Sequence, residues 1–390
     1  MMFLLLKNAN IFAPAPMGIN DILICNDKII AIAPDLVVSV PGEIKTIDLG
    51  GKLTVPGFID GHAHLIGGGG EGGFATRTPE VAIGNLIEAG ITSICGLLGT
   101  DAATRHIASL YAKTKALQTE GISAWFFTGG YRVPSPTLTG NIGDDVTFLD
   151  ACIGLKTAIS DHRSSQSTIE ELARIASQSR IGGMTSGKAG SVVVHLGDGD
   201  GHFDPLIGVI ENTEIPIAQF IPTHVNRKRA LLDAARDWAK RGGNIDFTTG
   251  IDAEPDPAGS VKTSTGIAEC LADGVPLDRI SMTSDGNGSL PDFDAQGNMI
   301  GLTVAGFDTI PREFADLVER EKLDITTALA PITLNPARML GLDGFKGQLK
   351  TGFDADILVL DDALAPETVI ARGKPAMISK ERLIKGTFEA

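Results

Sequence analysis

The sequence predicts an α/β fold: a (β/α)8 TIM barrel over residues 56–346, with a small β-sandwich domain formed from both termini, residues 1–55 and 347–390. Three observations carry this. Eight short, β-rich runs alternate with amphipathic helical stretches between Val55 and Ser284, and such alternation indicates a parallel sheet. Eight such units in about 250 residues match the size of a TIM barrel. Both ends of the chain, by contrast, read as short strands separated by turn residues, with no long helical period at the start.

In order, Phe3–Leu6, Asp21–Cys25, Lys28–Ala33 and Lys45–Asp48 are the first strands, with Asn26 and Asp27 forming a hairpin turn. Barrel strands are expected at Val55–Leu65, Thr92–Leu98, Ser123–Thr128, Phe148–Lys156, Val192–Leu196, Ile217–Pro222, Asn244–Gly250 and Ile280–Ser284. Helices are expected at Pro79–Ala89, Asp101–Glu120 and Arg227–Arg241, the last with Asn226 as N-cap and Gly242 beyond its end. Ser167 to Glu170 reads as a capping box opening another helix. After helices at Pro311–Arg320 and Asp324–Leu340, strands return at Ala355–Leu360 and Thr368–Ala371.

Composition narrows the function. Apolar residues at 43 % and charged residues at 21 % are ordinary for a globular enzyme, and 47 glycines suit a fold with many tight turns. A formal net charge of −15 argues against nucleic acid and anionic membranes as partners. Cys25, Cys95, Cys152 and Cys270 lie far apart with no CxxC spacing, so neither a disulfide framework nor a thiolate metal site is expected; Cys95 and Cys152 read as core residues. The opening MMFLLLKNANIF has no basic region and too short an apolar run for a signal peptide, and no run approaches the roughly 18 residues of a membrane span. A cytoplasmic location is expected.

The sharpest chemical signal is Gly57-Phe58-Ile59-Asp60-Gly61-His62-Ala63-His64. Residues i and i+2 of a strand face one side, so His62 and His64 can both enter the barrel from its first strand. Lys156, His195, His224 and Asp285 stand at the ends of the fourth, fifth, sixth and eighth predicted strands. The intervals agree: 39 residues from Lys156 to His195, 29 from His195 to His224, and 61 from His224 to Asp285 across one skipped strand. All would meet at the C-terminal mouth, where barrel active sites lie. Neutral imidazoles and a carboxylate are good cation ligands. Lys156 is the odd member, since a protonated amine cannot ligate. Buried at an apolar strand end, its pKa should fall, leaving an amine able to add CO2 and bridge two metals as a carbamate.

Each residue alone has a bland reading: core histidines, a snorkelling lysine, surface ion pairs. Their convergence on strand ends favours the metal site. Gly67–Gly70 lacks the ending of a phosphate loop and reads as a flexible rim that lets Glu71 approach. His106 reads as structural, and His162 and His202 fall off the ligand pattern. Asp252 and Glu254 form a paired-carboxylate candidate without an assigned role.

This pattern, with PGFIDGHAH and the GxxADILVL of Gly352 to Leu360, resembles the binuclear amidohydrolases, which include dihydroorotases, hydantoinases and phosphotriesterases. GHAHLIGGGGEGG, CGLLGTD, TGGYRVPSPTLTG, LKTAISDHRS, IPTHVNR and TSDGNGSLP are similar to bacterial isoaspartyl dipeptidases, and the resemblance spans essentially the whole chain. The Gly67–Glu71 loop, Tyr131, Arg163 and Arg227 point to that subgroup.

The resemblance implies two Zn2+ per subunit. His62, His64 and Asp285 would hold one, His195 and His224 the other, and N-carboxylated Lys156 would bridge them. A hydroxide between the metals would attack the amide carbon of a small dipeptide. Asp285 would move the proton to the leaving amine and Tyr131 would hydrogen-bond the carbonyl oxygen. Glu71 would meet the free α-amino group; Arg163, Arg227 and Ser289 would meet carboxylates, with Thr100 and Gly69 adding hydrogen bonds. A homo-oligomer, an octamer in the family, is implied. The alternatives are a cyclic amidase of the dihydroorotase or hydantoinase kind, and a non-catalytic scaffold on the same fold.

Overall fold

The structure is a computed structural model that describes residues 2–39, 42–251, 259–293 and 299–389. Asp252 and Glu254 lie outside the described residues. Five N-terminal strands come first: β1 (Phe3–Phe12), β2 (Pro16–Cys25), β3 (Lys28–Ala33), β4 (Ile44–Asp48) and β5 (Leu53–Pro56). The barrel strands follow: β6 (Phe58–Ala63), β7 (Ile91–Gly96), β8 (Ser123–Gly129), β9 (Cys152–Ile159), β10 (Ser191–Leu196), β11 (Phe220–Thr223), β12 (Ile245–Thr248) and β13 (Ile280–Thr283). They form one eight-stranded sheet in sequential order, parallel at every register the structure gives. The ends meet where the Asp285 N–H donates to His62 O (3.1 Å) and the His64 N–H to Gly286 O (2.9 Å).

The strands alternate between two cores. On β10, Val192 and Val194 pack outward with the helices, while Val193 joins an inner cluster with Ile59, Phe127 and Ile221. Ala337, Met339 and Leu340, from the helix Leu334–Met339 and the residue after it, pack into that inner cluster. The barrel is therefore a filled core whose polar residues collect at one end.

A hairpin, β14 (Ser289–Phe293) and β15 (Met299–Val304), leaves the last barrel strand and was not expected from the sequence. The tail adds β16 (Ile357–Leu360), β17 (Pro366–Ala371), β18 (Lys374–Ile378) and β19 (Glu381–Arg382). Together with β1–β5 these build one nine-stranded sheet, in which β5 bonds β16 antiparallel and β1 parallel. Both termini thus contribute to the same sheet.

Several local expectations shift. Phe148 ends a helix (Ile142–Phe148), so the fourth barrel strand starts at Cys152. The capping box lies one residue on, at Thr168 with Glu171. Asn226 is no N-cap: the helix Arg229–Lys240 follows Lys228, and buried Asn226 instead donates to Thr248 O and Val261 O. The long helix expected over Asp324–Leu340 is broken into Ile325–Leu329, a 3-10 turn at Ala330–Ile332 and Leu334–Met339. Pro331 and Pro336 withhold the N–H groups a continuous helix needs.

Candidate metal-dependent active site

The site starts from the bonds that close the barrel. Buried Asp60 accepts from the backbone N–H groups of His62 and Ser284 (both 3.2 Å) and from the Ser284 hydroxyl. It thereby ties the end of β6 to the end of β13, which brings His62 and His64 beside Asp285. Burial pushes the Asp60 carboxyl up to about 7, against the pull of those hydrogen bonds. His224 and Asp285 both have left-handed backbones, φ 65° and 52°. That conformation is costly for non-glycine residues and marks strand ends held by their surroundings.

Asp285 is the hub. Its Oδ1 lies 3.2 Å from His62 Nε2 and 3.1 Å from His64 Nε2, and its Oδ2 4.0 Å from His224 Nδ1. The Lys156 Nζ is 3.5 Å from His62 Nε2. The His195 and His224 rings are 4.7 Å apart, and those of His62 and His224 5.1 Å. All six predicted ligands therefore share one neighbourhood. The tightest group among the described residues is His62, His224 and Asp285, whose ligand atoms lie within 4.8 Å of one another. This group crosses the expected division into two sets.

The electrostatics suit a cation. Burial lowers His62 to about 4, with Lys156 adding to the effect, and holds His195 and His224 well below the usual range. These imidazoles are neutral at pH 7. Burial opposes ionisation of Asp285, but His224, His62 and His64 outweigh it and keep the carboxyl well below its ordinary range. Burial also pushes the Lys156 amine down to about 7. The donor set is therefore neutral nitrogens, one carboxylate and an amine that readily loses its proton. His62 Nδ1 and His64 Nδ1 have no hydrogen-bond partner among the described residues. Gly68, Gly99 and Gly288 crowd the His64 ring so closely that a Cβ on any of them would come within 3.0–3.3 Å of it. The residues fit a divalent cation of the zinc type.

The rim carries the expected recognition residues. Buried Tyr131 donates to His195 Nδ1 (2.6 Å), and Arg163 lies over its ring at 5.6 Å. Arg163 Nη1 is 3.4 Å from exposed Glu71. Arg227 Nη1 lies 3.3 Å from Leu196 O and 3.5 Å from His195 Nε2, on the same side. Gly69, at φ 72°, sits against Ser289, 3.1 Å from where its Cβ would be. The Thr100 hydroxyl oxygen is buried without a hydrogen-bond partner among the described residues. His106 and His162 are exposed, and neither they nor His202 joins the ligand cluster.

Some residues of the site escaped the sequence reading. Buried Arg105 donates to the carbonyls of Ile66, Gly68 (2.9 Å) and Thr78 (2.9 Å), pinning the glycine loop that carries Glu71. No motif announces it. Asp246, pushed up to about 6 by burial, accepts from Thr223, Ser281 and Thr283 beneath the ligands. Asp161 binds both His195 and Arg163. Asp60 did carry a signal, standing within the same short motif as His62 and His64.

Models of the amidohydrolase family match residues 45–112 and 219–388. The crystal structure of a β-aspartyl dipeptidase from Fervidobacterium islandicum AW-1, in complex with the dipeptide β-Asp-Leu, is 40 % identical over 100 % of both chains, with a TM-score of 0.90. This chain belongs to the β-aspartyl dipeptidase family of amidohydrolases. Among curated relatives, a dihydroorotase from Syntrophus aciditrophicus is 25 % identical, covering 92 % of this chain and 90 % of its own. An L-hydantoinase from Arthrobacter aurescens, at 18 % identity and TM-score 0.68, shares the fold. The β-aspartyl dipeptidase likeness thus exceeds that to the dihydroorotase in identity, and that to the L-hydantoinase in both identity and TM-score. No helix among the described residues is long and apolar enough to cross a membrane.

Proposed function

We propose that the chain hydrolyses the β-aspartyl peptide bond of dipeptides. The observation that carries this reading is the Glu71–Arg163 pair, 3.4 Å apart at the rim of the ligand cluster. A β-aspartyl residue presents a free α-amino group and a free α-carboxylate on one carbon. A carboxylate beside a guanidinium offers each its complement. A cyclic amide has no free amine for Glu71 to meet.

Around such a substrate the chain's residues take distinct parts. Arg163 and Arg227 meet the carboxylates, with Ser289, Gly69 and Thr100 adding hydrogen bonds. Burial raises the Tyr131 phenol above its usual range, so it keeps its proton and can donate to the carbonyl oxygen as charge develops there. Asp285, held ionised, accepts a proton from the attacking water and returns it to the leaving amine. His62, His64, His195, His224 and Asp285, with Lys156 as a carbamate, would hold two zinc ions. Bound there, the ions supply Lewis-acid polarisation and make water a nucleophile at neutral pH.

The test is a comparison of substrates on zinc-loaded enzyme. We expect kcat/KM for β-Asp-Leu to exceed that for dihydroorotate or a hydantoin by at least about 100-fold, because a site built for charged groups leaves them unpaired around the wrong substrate. Turnover of the cyclic amides without the dipeptide would assign the chain to the cyclic amidases.

A further inference from the structure

Asp161 follows the end of β9 by two residues and is only 4 % exposed. Its Oδ1 accepts from the Arg163 backbone N–H (2.7 Å) and from Arg163 Nε (2.9 Å). Its Oδ2 accepts from Arg163 Nη2 (2.7 Å) and lies 2.8 Å from His195 Nε2. One buried carboxylate thus spans a predicted metal ligand and a predicted substrate-binding arginine.

Two consequences follow from acceptor chemistry alone. An ionised carboxylate only accepts, and at 2.8 Å it lies closer to His195 Nε2 than the Arg227 guanidinium does at 3.5 Å, so that nitrogen carries the proton. The ring's lone pair is then on Nδ1, the nitrogen that accepts from Tyr131. Asp161 therefore sets which nitrogen His195 can offer a cation. Arg163, meanwhile, spends its Nε and Nη2 on Asp161 and turns Nη1 toward Glu71. Its reach toward a substrate carboxylate is fixed by the same group.

We propose that Asp161 is a positioning residue that couples the His195 end of the metal site to the substrate grip of Arg163. The proposal rests on the β-aspartyl dipeptidase reading for the arginine and on the donor set alone for the histidine. In Asp161→Asn the amide N–H faces either Arg163 Nη2 together with the imidazole N–H, or the Arg163 backbone N–H and Nε. Arg163 loses bonds in both orientations, and in both His195 loses the negative charge that raises its basicity as a ligand.

The test uses the zinc-loaded enzyme and two readouts. Chelator competition measures zinc affinity without any substrate, and steady-state kinetics with β-Asp-Leu measures KM and kcat separately. For Asp161→Asn we expect one of the two zinc ions to be held about 10–100-fold less tightly, the usual effect of removing a partner that orients a ligand, and KM to rise at least about tenfold. Arg163→Lys should raise KM while leaving zinc affinity unchanged. Asp161→Glu, which keeps the charge, should recover part of the zinc affinity and guards against a folding defect in the amide variant. Wild-type zinc affinity in a folded Asp161→Asn would overturn the proposal, as would weakened zinc with unchanged KM. Wild-type enzyme inactive on β-Asp-Leu would instead sink the dipeptidase reading, and the chelator measurement would still judge the link to His195.

Discussion

Lys156 is the residue on which the proposed chemistry turns, because the proposed carbamate forms only from an uncharged amine. Burial lowers its amine to about 7, opposed by Asp285 and Asp246. Only the neutral amine adds CO2, so the reactive fraction is small below pH 7 and grows as pH rises through that value. Reconstitution of metal-free enzyme with zinc at fixed dissolved CO2 should therefore run about tenfold faster at pH 8 than at pH 6. Equal rates would show that the amine is not the titrating group. Lys156→Ala should lower activity by several orders of magnitude, and short carboxylic acids should partly restore it by supplying the missing oxygens. Unchanged activity would refute the bridging role. Glu71→Gln keeps the side chain's shape and removes its charge; we expect kcat/KM for β-Asp-Leu to fall about 100-fold, the loss of a charge-assisted bond of about 3 kcal/mol. Lys156 was legible in the sequence because it stands at a predicted strand end, and Glu71 because its glycine-rich loop resembles that of the isoaspartyl dipeptidases. Arg105 and Asp161 were not: Arg105 bonds the backbone carbonyls of a loop distant along the chain, and Asp161 meets His195 only across the barrel mouth.

Single elements show where periodicity suffices and where it fails. On β10 the alternation is regular, and Val193 and His195 face inward as a period of two requires. On β9 it is not. Phe126 pairs with Cys152 but Phe127 with Gly154, so β9 carries one extra residue. Ile153 faces the inner cluster and Leu155 the outer one, and Lys156 returns to the inside. Strict alternation from Ile153 would turn Lys156 outward. The contacts of the loop after β7 are similarly exacting around His64, where a methyl group on Gly99 would stand only 3.0 Å from the ring. Gly99→Ala should displace that ring, and we expect loss of zinc stoichiometry in the purified protein with little change in melting temperature. Full zinc occupancy in the variant would show that the cradle tolerates a methyl group.

Across the whole molecule, the terminal sheet and the barrel share residues. On β16, Ile357 and Val359 enter the core of the terminal sheet, while Leu358 and Leu360 join the outer core of the barrel. Buried Lys346 reinforces the junction through ion pairs with Asp354 (2.8 Å) and Asp356 and a bond to Ser123 Oγ (2.7 Å) on β8. We expect Leu358→Ala and Ile357→Ala each to cost about 2–5 kcal/mol and to lower one shared thermal transition. Two separate transitions, each moved by only one variant, would show that the sheet and the barrel unfold independently. Local pattern and side-chain chemistry were enough to specify the alternation of strands and helices, the eight-unit barrel, the pairing of the chain's ends and the residues eligible to hold a metal. The bulge that turns Lys156 inward, the grouping of His62 with His224 and Asp285, and the carboxylate linking His195 to Arg163 emerged only once the chain was folded. Those features depend on register between strands and on contacts across the barrel mouth, which no local period encodes.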